Sequence, residues 1–177
     1  MTSALMLIDY QQGRDDAWFG KGNNPAAEAN GLALLATRRA RDLPRGIVQH
    51  ASVTPGWPLS PDRPGFALDG EKHIVKQQNS AFIGTDLGDW LAARGIARLT
   101  VAGMTTEHCV STTVRMASNL GYSVALAGDA CRAKAKRRAG GDGLIAETIH
   151  QTELAILDSE FAHVITTADA IDALPAA

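Results

Sequence analysis

Short apolar runs alternate along the chain with segments in which apolar residues recur every three or four positions. Residues 4–9 (ALMLID) are apolar at every position but the last, the pattern of a strand buried on both faces of a sheet. Runs of the same kind at 45–50 (RGIVQH), 73–76 (HIVK), 98–102 (RLTVA), 123–127 (SVALA) and 163–166 (HVIT) predict five further strands. The first helix is expected to open with Asn24 as N-cap and Pro25 in its first turn, and to run to Asp42 with Ala29, Leu32, Leu35 and Ala36 on one stripe. A second helix is expected over 87–94, capped by Gly84 or Thr85, and a third over 107–120, ended by Gly121. A fourth is expected over 144–157 with Ile145, Ile149, Leu154 and Leu157 inward, and a short last one over 168–174. The connection at 51–72 carries Pro55, Pro58, Pro61 and Pro64, and a loop that long is functional or disordered. The basic, glycine-rich stretch 132–143 predicts a mobile surface loop.

Strands separated by helices of this length pair in parallel through right-handed crossovers, which places helices on both faces of one sheet. The expectation is a three-layer α/β/α fold of Rossmann-like type around a mostly parallel sheet, as one domain over residues 1–177. Composition narrows the partners. With 17 basic and 19 acidic residues the net charge is −2, which supplies no basic field for nucleic acid or anionic membrane. No run is long enough to span a bilayer, and the N-terminal run lacks the basic flank of a signal peptide. Two cysteines, Cys109 and Cys131, make no disulfide framework and fit a reducing compartment, so a cytoplasmic location is expected.

Ligands of open parallel sheets bind beyond the carboxyl ends of the strands. Three reactive side chains fall at such ends: Asp9 after the first strand, Lys76 after the third, and Cys109 in the first turn after the fourth. A thiol at a helix N-terminus, near an ammonium, is poised to ionise and attack. Each residue also has a plain structural reading, as a small buried hydrophobe, a turn-forming acid and a strand-terminal cation. Cys131, with only Asp129 ahead of it, reads as structural. His50, His73, His108, His150 and His163 are scattered without metal-ligand spacing, so neither a metal site nor a cofactor is expected. The chain has no phosphate-binding G-x-x-x-x-G-K run, no dinucleotide fingerprint after the first strand and no G-x-S-x-G elbow.

Three ordered motifs carry a resemblance. They are Leu7-Ile8-Asp9-Tyr10-Gln11, then Lys76 followed by Asn79-Ser80-Ala81-Phe82, then the stretch from Gly103 through Met104, Thr105, Thr106, Glu107, His108 and Cys109 to Thr113. With Gly128-Asp129-Ala130-Cys131 they make the chain resemble, over nearly its whole length, the isochorismatase-like cysteine hydrolases, the superfamily of nicotinamidases, carbamoylsarcosine amidohydrolase and streptothricin hydrolase. The resemblance implies a catalytic triad of Asp9, Lys76 and Cys109. It also implies a cis peptide between Met104 and Thr105, and an oxyanion hole from the backbone N–H groups of Thr105 and Cys109.

The activity implied is hydrolysis of a non-peptide C–N bond (amide, carbamoyl or lactam) in a small molecule through a Cys109 thioester, without a cofactor. Gln11, Trp18, Trp57, Phe82 and Thr106 are the expected substrate contacts, the aromatics as walls of a pocket. Two alternatives stay open on the residues alone: vinyl ether hydrolysis of the isochorismatase type, and non-catalytic small-molecule binding on the same fold. The chain departs from the metal-containing nicotinamidases, which carry Asp-x-His after the second strand where Gln49-His50-Ala51-Ser52 stands here, and this argues against a bound metal and nicotinamide specificity. A homo-oligomer, dimer or tetramer, is a further implication of the resemblance.

Overall fold

A computed structural model of the chain describes residues 3–15, 20–51, 61–137 and 140–175; Trp18 and Trp57 lie outside the described residues. In chain order the elements are β1 (Ser3–Ile8), α1 (Ala27–Ala40), β2 (Arg45–His50), β3 (Lys72–Lys76), α2 (Leu87–Ala92) and β4 (Arg98–Met104). A π turn (Thr106–Val110) leads into α3 (Ser111–Asn119), β5 (Ser123–Arg132), β6 (Lys136–Arg137), β7 (Gly143–Leu144), α4 (Ala146–Glu160), β8 (His163–Ile165) and α5 (Thr167–Asp172). Six strands form one sheet in the order β3-β2-β1-β4-β5-β8, every pair parallel. Among the described residues no helix is long and apolar enough to cross a membrane.

The strand alternation of β1 builds both layers of the core. Ala4, Met6 and Ile8 pack with Val48, Ile74 and Val101 under α2, α3 and α4, while Leu5 and Leu7 pack with Ile47, Ala102 and Met104 under α1 and α5. All five of these β1 side chains are at most 1% exposed, which is why the strand reads as an unbroken apolar run. Each large one contributes about 1.5–3 kcal/mol by its burial.

The sheet and the helix order agree with expectation, and the departures are local. Asn24 does not cap α1: the cap position falls to Ala26, and the Asn24 amide instead donates to the carbonyls of Asp129 and Cys131 at 2.9 and 2.7 Å. The buried stripe of α1 is Ala27, Gly31, Leu34, Leu35 and Arg38, while Ala29 and Ala36 face solvent and Leu32 is half-buried. Gly31 sits there because the Tyr10 ring fills the space that a Cβ would need. Tyr10 in turn stacks on Phe66, with centroids 4.2 Å apart, so the proline-rich connection places one fully buried ring in the core.

In α4 the expected inward Ile145 is 67% exposed and precedes the helix, and the buried positions are Ala146, His150 and Leu157. The described part of the basic stretch is not a free loop. It carries the β6–β7 hairpin, a bridge between Lys134 and Gly22, and a buried Lys134. A polar pattern hides such a segment, because backbone pairing and not apolar periodicity holds it.

Candidate active site

The chain passes outward from β1 to β2 and β3, then returns to β4 on the other side of β1. The carboxyl ends of β1 and β4 therefore flank the switch point of the sheet, where the crevice of a parallel sheet opens. Asp9 is the first residue past β1. Its N–H donates to Val48 O at 2.9 Å and its φ of 53° turns the chain out of the strand, a left-handed conformation that aspartate tolerates better than most residues. Its side chain is fully buried.

A buried carboxylate needs a cationic or hydrogen-bonding partner. That partner comes from β3, beyond β2, which places its backbone roughly 10 Å away at ordinary strand spacing. Only a long side chain spans such a gap. Lys76, the last residue of β3, reaches it, with Nζ 3.0 Å from Asp9 Oδ2 and neither side chain exposed. The same ammonium donates to His50 Nδ1 at 3.1 Å. His50 ends β2 in direct register with Lys76, and its backbone is clasped by Gln11, whose Oε1 accepts from the His50 N–H at 2.8 Å while its Nε2 donates to His50 O at 3.3 Å.

The nucleophile candidate comes from β4. The strand ends at Met104, the Met104–Thr105 peptide is cis, and the chain enters a π turn before α3. The bond from Val110 N–H to Thr105 O, at 3.3 Å, spans five residues and widens this turn. Such single π turns recur at functional sites. Cys109 lies inside it, 3% exposed, with Sγ donating to Asn79 Oδ1 at 3.7 Å. Gly103, with φ 150°, lets β4 pass close to β1 just before the turn: a Cβ there would lie 2.2 Å from Ile8 O. Together these supports bring one ligand atom each of Asp9, His50 and Cys109 within 4.8 Å of one another.

The structure thus brings Asp9, Lys76 and Cys109 to one crevice and adds His50, which by spacing alone is one of five scattered histidines, and Asn79, which the sequence marks only as part of a motif. His50 could have been found by the rule that found the others, since it too closes a strand at the carboxyl edge. The expectation of no metal site rests on spacing along the sequence. Spacing motifs detect ligands close in sequence, whereas Asp9, His50 and Cys109 converge from three strand ends.

Three of the expected substrate contacts have partners within the fold. Gln11 is 1% exposed and clamps His50. Thr106 is fully buried with Oγ1 2.9 Å from His150 Nδ1, and burial pushes His150 below its ordinary 6.5. Phe82 stacks on Tyr122, centroids 5.6 Å apart, and packs against the core. Cys131 is structural as read. It is fully buried, and burial pushes its thiol up to about 12. Asp129 accepts from the N–H and hydroxyl of Thr167 at 2.7 and 2.8 Å, at the start of α5. A separate cleft of about 570 Å³ opens beside β5 and β8, with Glu147, His150, Thr166 and Asp169 in its wall and none of the three triad candidates.

Known proteins share this architecture. The sequence profile of the Isochorismatase domain matches residues 3–169. An uncharacterized isochorismatase family protein of Bacillus subtilis is 39% identical over 93% of this chain and 91% of its own length. A streptothricin hydrolase of Streptomyces noursei is 40% identical over 73% of this chain and 54% of its own. Nicotinamidase of Escherichia coli and a ureidoacrylate amidohydrolase of Variovorax paradoxus are further relatives. Among solved structures, a hydrolase of the isochorismatase family from Chromobacterium violaceum superposes with a TM-score of 0.91 at 42% identity, covering 97% of this chain and 93% of that one. With a fold, a crevice and a full-length match in agreement, the chain belongs to the isochorismatase family of hydrolases.

Proposed function

We propose that the protein is a cysteine hydrolase that cleaves a non-peptide C–N bond, an amide, carbamoyl or lactam, in a small molecule through a thioester on Cys109. The observation that carries this reading is the fully buried Lys76–Asp9 ion pair, 3.0 Å long, beside the thiol of Cys109. A thiolate is a better nucleophile than any other group in the crevice, and a carboxylate within reach can take its proton. Relatives named nicotinamidase and ureidoacrylate amidohydrolase support amide chemistry for the family.

In this mechanism Asp9 takes the thiol proton as Sγ attacks the carbonyl carbon. The tetrahedral oxyanion is received by the N–H groups of Thr105 and Cys109. Asp9 then passes the proton to the departing nitrogen, the C–N bond breaks, and the acyl group remains on sulfur. Water enters, gives its proton to Asp9 and attacks the thioester, which releases the acid and restores the thiol. Lys76 holds Asp9 in place and favours an anionic crevice, while His50, as the second acceptor of its ammonium, fixes the lysine between them.

The test is release of ammonia or amine and acid from a panel of small amides, ureido compounds and lactams, with intact mass measured during turnover. Turnover lost in Cys109→Ala, with an acyl adduct on Cys109 in the wild type, supports the reading. Turnover that survives in Cys109→Ala overturns the thioester. A dimer or tetramer belongs to the same proposal and is checked by light scattering.

A further inference from the structure

We infer that Asp9, His50 and Cys109 form a binding site for one borderline-soft divalent cation, zinc above all, and that this cation holds the thiol in a reversible, protected form. The carboxylate oxygen, the ring nitrogen and the sulfur lie within 4.8 Å of one another. Tetrahedral zinc, with bonds of about 2.3 Å to sulfur and about 2.0–2.2 Å to nitrogen and oxygen, sets its ligands roughly 3.3–3.7 Å apart. The three side chains therefore need to close by only about 1 Å, a matter of small side-chain rotations. The donor set decides the ion: a thiolate and an imidazole with one carboxylate suit zinc or cobalt, whereas magnesium and calcium want oxygens.

The backbone of each ligand is already held, Asp9 by Val48 O, His50 by the Gln11 clamp and Cys109 by the π turn. Pre-placed ligands lose little freedom on binding, which favours affinity. Three protein ligands leave a fourth position for water. This set differs from the Asp-x-His spacing that the chain lacks, and it uses the thiol itself.

Lys76 is the competitor. Its ammonium bonds both Asp9 Oδ2 and His50 Nδ1, so a cation bound through either of these atoms displaces a lysine hydrogen. The thiol proton leaves to solvent as the metal–sulfur bond forms, and no electron is transferred. The result is a site whose affinity Lys76 limits, so that metal binds and leaves. Coordination depends only on geometry. Its effect on turnover rests on Cys109 being the nucleophile, so the experiment reads metal and thiol, not activity.

Purified full-length protein, stripped with a chelator and dialysed, is titrated with Co²⁺. One equivalent is expected to give a thiolate-to-cobalt charge-transfer band and intense visible bands of four-coordinate cobalt, both removed by Zn²⁺. The bands should vanish in Cys109→Ser and in wild-type protein alkylated at Cys109, persist in Cys131→Ser, and form with at least about tenfold lower affinity in His50→Gln. Zn²⁺ should block iodoacetamide labelling of Cys109 until chelator is added. Absence of the charge-transfer band in wild type, or its persistence after Cys109 is alkylated, overturns the site and leaves an adventitious ion only. Unchanged affinity in His50→Gln also overturns it. A metal site that fails leaves the hydrolase reading intact, and a failed amide panel leaves the metal titration unaffected.

Discussion

Lys76 and His50 face each other in register across the ends of β3 and β2, with Lys76 Nζ 3.1 Å from His50 Nδ1. An ammonium has only hydrogens to offer, so Nδ1 must be the acceptor and the ring proton sits on Nε2. The pairing thus sets a tautomer that sequence alone leaves undetermined. Imidazole ¹⁵N shifts of selectively labelled protein at neutral pH are expected to show the Nε2–H form for His50. In Lys76→Met the constraint disappears and the shifts should move toward a mixture of the two tautomers. A His50 that carries its proton on Nδ1 in the wild type would rule out the hydrogen bond.

Gly103 is where geometry leaves least room. A Cβ would stand 2.2 Å from Ile8 O and 2.8 Å from the Ile8 Cβ, and the φ of 150° suits no other residue. The atoms that block it are mostly backbone, so no rotamer change relieves the clash. Gly103→Ala is therefore expected to destabilise the fold by at least about 3 kcal/mol in urea titration, at the severe end for a single methyl. The push falls between β1 and β4 at the residues that lead to Asp9 and Cys109, so the surviving folded fraction should also label more slowly at Cys109. Gly88→Ala, within α2 and with nothing within 4 Å of the added carbon, is the control and should not destabilise the fold, a helical alanine being favoured over glycine by up to about 1 kcal/mol.

The sheet was legible because burial on both faces leaves an apolar run at β1, β2, β4 and β5 that needs no context to read. The positions of Asp9, Lys76 and Cys109 followed from the same strand ends, by the rule that ligands meet the carboxyl edge of a parallel sheet. What escaped was whatever depends on partners distant in sequence. Asn24 looks like a helix cap until β5 offers it two carbonyls. Thr106 and His150, 44 positions apart in sequence, share a hydrogen bond that no local pattern announces. The π turn at Thr106–Val110 escaped as well, since an α-helical and a π-helical turn present the same local pattern.

Glu71 fastens the end of the proline-rich connection to the rest of the fold, and it makes stability depend on acid. Burial alone would raise its pKa, but bonds from Arg39 at 2.8 Å, from the Asp69 N–H and from Arg45 at 3.0 Å outweigh burial and bring it from 4.5 to about 2. Its side chain has no exposed surface, so solvent screening takes little from these bonds. The unfolded chain takes up a proton near 4.5 while the folded chain resists until about 2. This contribution is therefore full above pH 5 or so and is lost as pH falls through about 2; at about 1.4 kcal/mol per pH unit it amounts to about 3 kcal/mol. Urea midpoints measured from pH 7 to pH 3 should fall for the wild type. Glu71→Gln should start lower and lose clearly less over the same range, and an equal slope in both would assign the acid sensitivity elsewhere.

The two cysteines differ in environment, and that difference makes the candidate nucleophile accessible to a simple chemical test. Cys131 is fully buried with its thiol pushed up to about 12, so it offers almost no thiolate at neutral pH and no path for a reagent. Cys109 sits at the crevice with Asn79, an exposed residue, as its hydrogen-bond acceptor. Folded protein at pH 7.5 should therefore take one iodoacetamide, mapped by peptide mass to Cys109, and a second on Cys131 only once urea unfolds the chain. Lys76→Met removes the ammonium paired with Asp9 and leaves the buried carboxylate without its lysine, which opposes a second anion beside it. Labelling of Cys109 in that variant is expected to slow by about tenfold or more, which corresponds to about 1.4 kcal/mol of lost preference for the thiolate. Lys76→Met also removes a partner from a buried pair, so its folded fraction is fixed by near-ultraviolet circular dichroism before the rates are compared. Equal labelling rates in folded wild type and folded variant would take the ammonium out of thiol activation and leave Lys76 as a support for Asp9 alone.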